Sequence, residues 1–253
     1  MKMEFIRDGP ALVIEGEQRM LVVADLHFGI EADLAAHGLH FKSRSAERLE
    51  RLMKTIDGAD PDALILLGDI KHSIPSLTRQ EYYEMPGILE TLRARIPLVV
   101  FPGNHDIGIE RFVREEELRP RDGALVDGVA YLHGHMNPAP HLYGNLIVVG
   151  HHHPLVSIRD EVGCALQSPA YIRAGIVPGA RGLPASLAPD QAGQSRLLFV
   201  PAFNELAGYD IAKILNDPFS PVSRCMNAEN AEIILADGTY LGPLSSLEQD
   251  DND

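Results

Sequence analysis

Several features are scarce in this chain of 253 residues, and each scarcity excludes a class of protein. Its two cysteines, Cys164 and Cys225, rule out a disulfide-stapled mini-protein and a CxxC zinc cluster. We expect both to be small buried or half-buried hydrophobic side chains. No apolar run approaches the roughly 18 residues that a membrane span needs. The N-terminal segment carries charges where a signal peptide has an apolar core, which predicts a cytoplasmic protein.

Positive charge is the second scarcity. The chain has 22 Lys and Arg against 36 Asp and Glu, a net charge of -14. Non-specific adhesion to nucleic acid depends on cations that neutralise phosphates, so this balance argues against such adhesion. A nucleic-acid substrate stays compatible with the sequence, because bound metal ions reverse the sign of the charge at a site. Histidine, by contrast, is abundant: eleven are present, mostly in a few tight groups.

The order of apolar segments predicts an α/β fold. Residues 11–14 and 20–23 are apolar runs joined by a polar turn and predict a hairpin. Apolar residues recur at helical spacing between 49 and 56 and predict an amphipathic helix that ends at Gly58. Further strands are predicted at 63–67, 98–101, 129–132, 146–149 and 196–200. Strands that alternate with helices indicate largely parallel pairing in this first part.

The last hundred residues differ in composition. Residues 174–195 are rich in Gly, Pro, Ala and Ser without a clear period, and we interpret them as a long loop or insertion. Two short apolar runs flank Asp237-Gly238, which predicts a second hairpin. The acidic segment 245–253 is expected to be a frayed tail. We find no internal repeat and expect one domain over residues 1–253.

Five predicted strands are followed directly by side chains with metal-binding or acid–base chemistry. These clusters are Asp25 and His27, Gly68-Asp69, Gly103-Asn104-His105-Asp106, His133-Gly134-His135 and Gly150-His151-His152-His153. Open α/β sheets place their sites at the carboxyl ends of strands, so we expect the clusters to meet. Each cluster alone also fits an ordinary turn, and the histidine run alone fits a solvated tract. Their common placement favours a site.

The donor types indicate the class of metal. Carboxylate, amide and imidazole groups without thiolate suit Mn²⁺, Fe²⁺ or Zn²⁺ and argue against a structural zinc cluster. Seven candidate ligands are too many for one ion with open positions and suit two ions bridged by a carboxylate, for which Asp69 is the natural choice. Such a pair activates a bound water and holds the attacking and leaving oxygens of a displacement at phosphorus.

The ordered motifs resemble the signature of the calcineurin-like metallophosphoesterase superfamily. The longer stretches 24–29 and 68–73, with Pro201-Ala202-Phe203-Asn204 downstream, resemble its ICC-like branch, which is related to the SbcD-type DNA-repair nucleases and common in archaea. The resemblance implies an α/β fold in four layers, an αββα sandwich of two mixed β-sheets flanked by helices.

The resemblance also implies a role for each motif residue. One divalent ion would be held by Asp25, His27 and His153 and the other by Asn104, His133 and His151, with Asp69 shared by both. His105 would act as general acid at the leaving-group oxygen, oriented by Asp106. His72 would support a ligand, and His152 would face away or touch substrate. Weaker candidates for contacts with the substrate are Arg44, Lys71, His72, Phe203 and Asn204, although Phe203 fits the core equally well.

These roles imply a dinuclear metal-dependent phosphoesterase, and we favour a phosphodiesterase or nuclease in which a metal-bridging hydroxide attacks phosphorus. Mn²⁺ is the expected metal, with Fe²⁺, Zn²⁺ or Ni²⁺ as alternatives. The expected partner is nucleic acid or a small nucleotide diester, and a repair-protein partner fits the branch. A different hypothesis is a non-catalytic, metal-stabilised interaction module of a DNA-repair or trafficking assembly. A metallo-β-lactamase-type hydrolase is excluded because its HxHxDH cluster is absent.

Overall fold

The computed structural model describes residues 1–7, 9–39, 42–159, 165–180, 183 and 187–247, so Cys164 and residues 248–253 of the predicted tail lie outside the described residues. The strands are β1 (Lys2–Ile6), β2 (Ala11–Glu15), β3 (Arg19–Val23), β4 (Ala63–Leu66), β5 (Leu98–Val100), β6 (Ala124–Val126), β7 (Val129–Leu132), β8 (Leu146–Val149), β9 (Pro154–Arg159), β10 (Ala165–Ile176), β11 (Arg196–Phe199), β12 (Tyr209–Asp210), β13 (Met226–Leu235) and β14 (Tyr240–Pro243). The helices are α1 (Ile30–Ala36), α2 (Ser45–Ala59), α3 (Arg79–Arg95), α4 (Pro189–Gln194), α5 (Ile211–Asn216), α6 (Pro221–Cys225) and α7 (Leu244–Leu247).

The first sheet begins as an antiparallel meander and continues with parallel strands. β1, β2 and β3 pair antiparallel, which confirms the hairpin predicted from the first two apolar runs. β4 and then β5 add in parallel beyond β3. Helix α2 leads from β3 to β4 and helix α3 from β4 to β5, so these connections are the crossovers that parallel strands require.

The second sheet is also mixed. β11, β8 and β7 run parallel side by side. β6 pairs antiparallel with β7, and β10 pairs antiparallel with β9, β11 and β13. The short strand β12 adds to β9 in parallel. β13 and β14 form the hairpin predicted at Asp237-Gly238.

Three apolar cores separate four layers. One lies between the first sheet and helices α2 and α3 and contains Leu52 and Leu89. The second lies between the two sheets, where Ile65 of β4 and Val148 of β8 belong to the same cluster. The third lies between the second sheet and helices α4 to α6 and contains Val222. The predicted αββα sandwich of two mixed sheets is therefore confirmed.

The segment 174–195 differs from the predicted long loop at both ends. β10 continues to Ile176, paired with β11 and β13, and α4 covers Pro189–Gln194. Composition misled the prediction because pairing with two neighbouring strands holds small residues in a sheet that their intrinsic preference does not favour. Within this segment, residues 181–182 and 184–186 lie outside the described residues.

Smaller expectations have clear outcomes. Helix α2 passes through Gly58 and ends at Ala59, one residue beyond its predicted end. The first residues of the predicted acidic tail lie in helix α7. Cys225 is buried, as expected. Within the described residues, no helix has both the length and the apolar character to cross a membrane.

A buried ion pair connects helices α1 and α2 with the segment after β11. The side chain of Arg48 is fully buried, and its Nη2 lies 3.3 Å from Glu31 Oε1 and 3.3 Å from Asn204 Oδ1. Glu31 also accepts a hydrogen bond from Gln80 Nε2 at 3.1 Å. Asn204 Nδ2 donates to the carbonyl of Leu26 at 2.9 Å, so this network reaches the polar cluster that follows β3.

Replacing Glu31 with alanine should destabilise the fold, because the buried guanidinium of Arg48 would lose its fully buried carboxylate partner and keep only Glu205, whose side chain is 24% exposed. We expect the free energy of unfolding to fall by about 1–3 kcal/mol in urea denaturation, the usual cost of losing a hydrogen bond to a buried charged group. Lys54→Ala is the matched control, because Lys54 pairs with Glu50 on the exposed face of α2 and should contribute nothing measurable. Equal effects of the two changes would contradict this assignment.

Candidate metal centre

The carboxyl ends of five strands from both sheets bring their polar clusters to one place. In the first sheet, Asp25 follows β3, Asp69 follows β4 and Asn104 follows β5. In the second sheet, His133 follows β7 and His151 follows β8. The two sheets pack face to face, so the ends of strands from both can contribute to one centre.

The first group of donors consists of Asp25, His27, Asp69 and His153, whose candidate ligand atoms all lie within 4.8 Å of one another. His153 Nε2 is 3.1 Å from Asp25 Oδ1. His27 Nε2 is 3.4 Å from His153 Nε2 and 3.7 Å from Asp69 Oδ2. The candidate ligand atoms of two carboxylates and two imidazoles therefore converge, as they would around one divalent ion.

The second group consists of Asp69, His133 and His151, again with ligand atoms within 4.8 Å of one another. His133 Nε2 is 3.3 Å from Asp69 Oδ2 and 3.2 Å from Asn104 Oδ1, so the amide oxygen joins this group. Asp69 belongs to both groups. The seven residues expected to hold two ions are thus brought together as two sets that share one carboxylate.

The backbone at five of these residues lies in the left-handed region. The φ angles are 57° at Asp25, 44° at His27, 50° at Asp69, 70° at His151 and 47° at His153. A non-glycine residue in such a conformation costs about 1–3 kcal/mol, and residues of this kind cluster at functional sites. The unusual turns aim side chains from separate strand ends at one centre, and the surrounding fold must hold them there.

Gly68 and Gly103 provide the space that the candidate ligands occupy. A Cβ atom added at Gly68, where φ is +82°, would lie 2.2 Å from His133 Nδ1. One added at Gly103 would lie 2.1 Å from Asp69 Oδ1. The glycine of one cluster therefore makes room for the candidate ligand of another.

The electrostatics of the centre divide its four imidazoles: burial lowers the pKa of two rings, whereas the neighbouring carboxylates raise the pKa of His133 and His153 against the effect of burial. Burial lowers the pKa of His151 to about 2 and that of His27 well below its ordinary value, so both rings keep the lone pair that a metal requires. Burial alone would raise the pKa of Asp69, but the rings of His133 and His27 hold it below its ordinary value. Burial opposes a charge on His133 as well, yet Asp69 raises its pKa to about 9.

These groups fit a pair of divalent cations. Asp25 and Asp69 are 0% and 1% exposed, and two carboxylates so enclosed require compensating positive charge. Neutral imidazole, carboxylate and amide donors without thiolate match the preferences of Mn²⁺, Fe²⁺ and Zn²⁺.

Residues 18–165, more than half of the chain, match the family described as calcineurin-like phosphoesterase. This chain belongs to that family. Its fold is similar to that of Pseudomonas putida nuclease MPE, with a TM-score of 0.58, 20% identity and 93% of each chain covered. Yfce, a phosphoesterase from E. coli, gives a TM-score of 0.36 at 18% identity over 56% of this chain and 73% of that chain. At 20% identity, the likeness to the first structure shows a shared fold.

In this calcineurin-like phosphoesterase, His105 faces the shared carboxylate from the side. Its Nε2 lies 4.0 Å from Asp69 Oδ2, and its backbone N–H donates to Asp69 Oδ1 at 2.8 Å. Nδ1 donates to the carbonyl of His72, which fixes the orientation of the ring. The side chain is 23% exposed, so part of the ring is open to solvent.

Asp106 does not contact the ring of His105, the partner expected for it, and its carboxylate binds backbone N–H groups instead. It accepts hydrogen bonds from the backbone N–H groups of Gly103 at 2.8 Å and Ile70 at 2.9 Å. These bonds tie the loop after β5 to the loop after β4. Burial, together with the nearby carboxylate of Asp69, raises the pKa of Asp106 to about 6.

Three of the weaker substrate candidates are buried: Lys71 and Phe203 are 0% exposed and Asn204 is 1% exposed. Lys71 Nζ donates to two backbone carbonyls, and Asn204 holds the loop after β3. Phe203 belongs to the core beneath α2, which was the alternative considered for it. Arg44 is 43% exposed but is already paired with two glutamates. The three buried side chains therefore present little free surface to a substrate, and the charge of Arg44 is already compensated by its two partners.

His72 lies behind the first group of donors. Its Nδ1 is 3.2 Å from His27 Nδ1, on the side of that ring that faces away from Asp69. Its Nε2 is 3.7 Å from Asp33 Oδ2 on helix α1. The supporting position expected for His72 therefore has a carboxylate partner that sequence reasoning missed. No spacing links Asp33 to the motifs, because α1 approaches the loop after β4 only in the folded chain.

Two further histidines of the motifs lie outside the donor groups. His152 is fully buried and faces away, with Nε2 2.7 Å from Ser220 Oγ and Nδ1 2.8 Å from the carbonyl of Gly150. The ring of His135 lies 5.3 Å from that of His133, between ring centroids. Its Nδ1 is buried without a hydrogen-bond partner among the described residues, and burial lowers the pKa of this ring to about 4.

Gly68→Ala should displace His133, because the new methyl group would occupy the position of its ring and alanine is strained at this φ. We expect calorimetric titration to show that the variant no longer binds two Mn²⁺ ions. Its free energy of unfolding, measured by urea denaturation, should also be lower. Gly58→Ala in helix α2 is the control, because no atom lies within 4 Å of its added Cβ. That change should instead stabilise the protein by about 0.5–1 kcal/mol and leave metal binding intact.

Proposed function

We propose that this protein is a metal-dependent phosphodiesterase that acts on nucleic acid or on small nucleotide diesters. The observation that carries the proposal is the pair of donor groups that share Asp69. Membership in the calcineurin-like phosphoesterase family supports phosphoester hydrolysis, and the nuclease among its structural neighbours supports a diester. Kinship with the ICC-like branch and its SbcD-type nucleases is part of the same proposal.

Mn²⁺ is the proposed metal at both groups, and Fe²⁺, Zn²⁺ or Ni²⁺ suit the same donors. The proposed ligands are Asp25, His27 and His153 for one ion and Asn104, His133 and His151 for the other, with Asp69 shared. When bound, the two ions supply the Lewis acidity and the activated water for a displacement at phosphorus.

His105 is the chain's own contribution at the leaving group. Because its Nδ1 donates to a backbone carbonyl, Nε2 is the atom that holds and releases a proton. This atom faces the shared Asp69 from a partly exposed position, where the ester oxygen of a bound phosphodiester can reach it. A positioned imidazole donates a proton to an alkoxide as the bond to phosphorus breaks.

Hydrolysis of bis-p-nitrophenyl phosphate tests the proposed activity. Protein stripped of metal should be inactive, and added Mn²⁺ should restore release of p-nitrophenolate. Asp69→Asn should abolish the restored activity, because the amide supplies neither the negative charge nor the second donor oxygen that two ions share. Lack of turnover with Mn²⁺, Ni²⁺ or Zn²⁺, despite two bound ions measured by elemental analysis, would favour the non-catalytic interaction module.

His105→Ala separates proton donation from metal binding. The variant should keep both ions in elemental analysis, because His105 belongs to neither of the two proposed ligand sets. Its kcat should fall by about 10²- to 10⁴-fold, the usual contribution of a general acid. The loss should be smaller for an ester whose leaving group is a weak base. Loss of either ion from this variant would refute the division of roles.

A further inference from the structure

An exposed pair of aromatic rings stands directly beside the second donor group. The ring of Phe219 lies 5.4 Å from the ring of His151, and the ring of Tyr209 lies 5.4 Å from that of Phe219. Phe219 is 40% exposed and Tyr209 is 39% exposed. We call these two residues the aromatic wall. Both lie beyond residues 18–165, the part of the chain that matches the family.

The wall is attached to the loop that carries the candidate ligands. The buried ring of His152 packs against Phe219 at 5.0 Å, and its Nε2 is bonded to the adjacent Ser220. The backbone N–H of Tyr209 donates to the carbonyl of His153 at 2.8 Å. His152, which no role in the donor groups explains, therefore fixes the position of the wall relative to His151 and His153.

The chemistry of the wall selects a flat, uncharged ring attached to a phosphate. Two large aromatic side chains that stay about 40% exposed beside a polar centre leave apolar surface in water that a ligand can cover. The Nζ of Lys213 lies 5.9 Å from the centroid of the Tyr209 ring, so the wall also has a cation beside it. Nucleobases stack on exposed aromatic rings irrespective of their identity, while cations beside the rings attract the phosphate backbone.

We propose that the aromatic wall is a nucleobase subsite: Phe219, with Tyr209 beside it, stacks on the base of the nucleotide whose phosphate lies at the metal centre. This inference rests on the proposed function and gives it a substrate class, because an ester without a base gains nothing from the wall. A stacked base presents its face, so the base must be unpaired or turned out of a duplex.

Two ligands that differ only in the base test the subsite. Thymidine 5′-monophosphate and 2-deoxyribose 5-phosphate carry the same sugar and phosphate, and their dissociation constants can be measured by calorimetry at saturating Mn²⁺. Stacking of one base predicts that the nucleotide binds the natural protein about 5- to 100-fold more tightly than the sugar phosphate. Equal affinities would overturn the proposal while leaving the phosphodiesterase untouched.

Substitution of Phe219 assigns the preference to the wall. Phe219→Leu keeps an apolar contact for His152 but removes the ring face, so the ratio of the two dissociation constants should fall to about twofold or less. Tyr240→Leu is the matched control, because Tyr240 is also an exposed aromatic residue but contacts Glu232 on the second sheet. It should leave the ratio unchanged. An unchanged ratio of dissociation constants in Phe219→Leu would overturn the subsite. So would a variant that keeps this ratio and changes only the oligomeric state of the protein, because Phe219 would then be part of a contact between copies of the chain.

A fluorescent variant provides a readout that needs no turnover. The chain contains no tryptophan, so Phe219→Trp places a single indole on the wall. Thymidine 5′-monophosphate should quench and shift its emission, whereas 2-deoxyribose 5-phosphate should not. The same response to both ligands would show that the wall does not contact the base. Failure of bis-p-nitrophenyl phosphate hydrolysis with an intact base response would refute the proposed reaction and leave the subsite standing.

Discussion

Two enclosed carboxylates set the central constraint on this protein. Asp25 and Asp69 lie at the ends of neighbouring strands of the first sheet, and neither has an arginine or lysine partner among the described residues. Burying such charges is costly unless opposite charge and hydrogen bonds surround them. The imidazoles at the strand ends and the expected divalent cations meet that requirement together. The rest of the centre is arranged around these two groups.

The fold meets this constraint with supports that lie behind the donors. Asp106 joins two loops through backbone N–H groups, and the network of Arg48 and Asn204 reaches the loop after β3. His72 contacts His27 from behind. Such contacts hold the five left-handed residues in conformations that a free chain would rarely adopt. The packing of the four layers therefore provides the rigidity that a preorganised metal site needs.

The chain divides its tasks between its two parts. The region that matches the family carries all seven donors of the two groups, and its strands come from both sheets. The later part closes the second sheet with β11 and β13 and places Phe219 and Tyr209 beside His151. The candidate metal donors and the proposed nucleobase subsite thus come from different stretches of sequence. On that proposal, variation in the later stretch changes the preferred substrate without disturbing the metal donors.

The sequence alone determined the hairpin of β2 and β3, the strands β4 and β5 and the seven candidate donors, because short apolar runs end in polar residues that parallel strands bring to one edge. Tertiary structure decided what no spacing encodes. Residues 174–176, which composition had assigned to a loop, belong to a strand because they pair with β11 and β13. Lys71 and Phe203 are buried in the fold and do not face a substrate. Asp33 and Phe219 reach the centre only through packing between distant elements. Local patterns report which atoms can bind a metal, whereas the surroundings of those atoms depend on contacts between residues far apart in the chain.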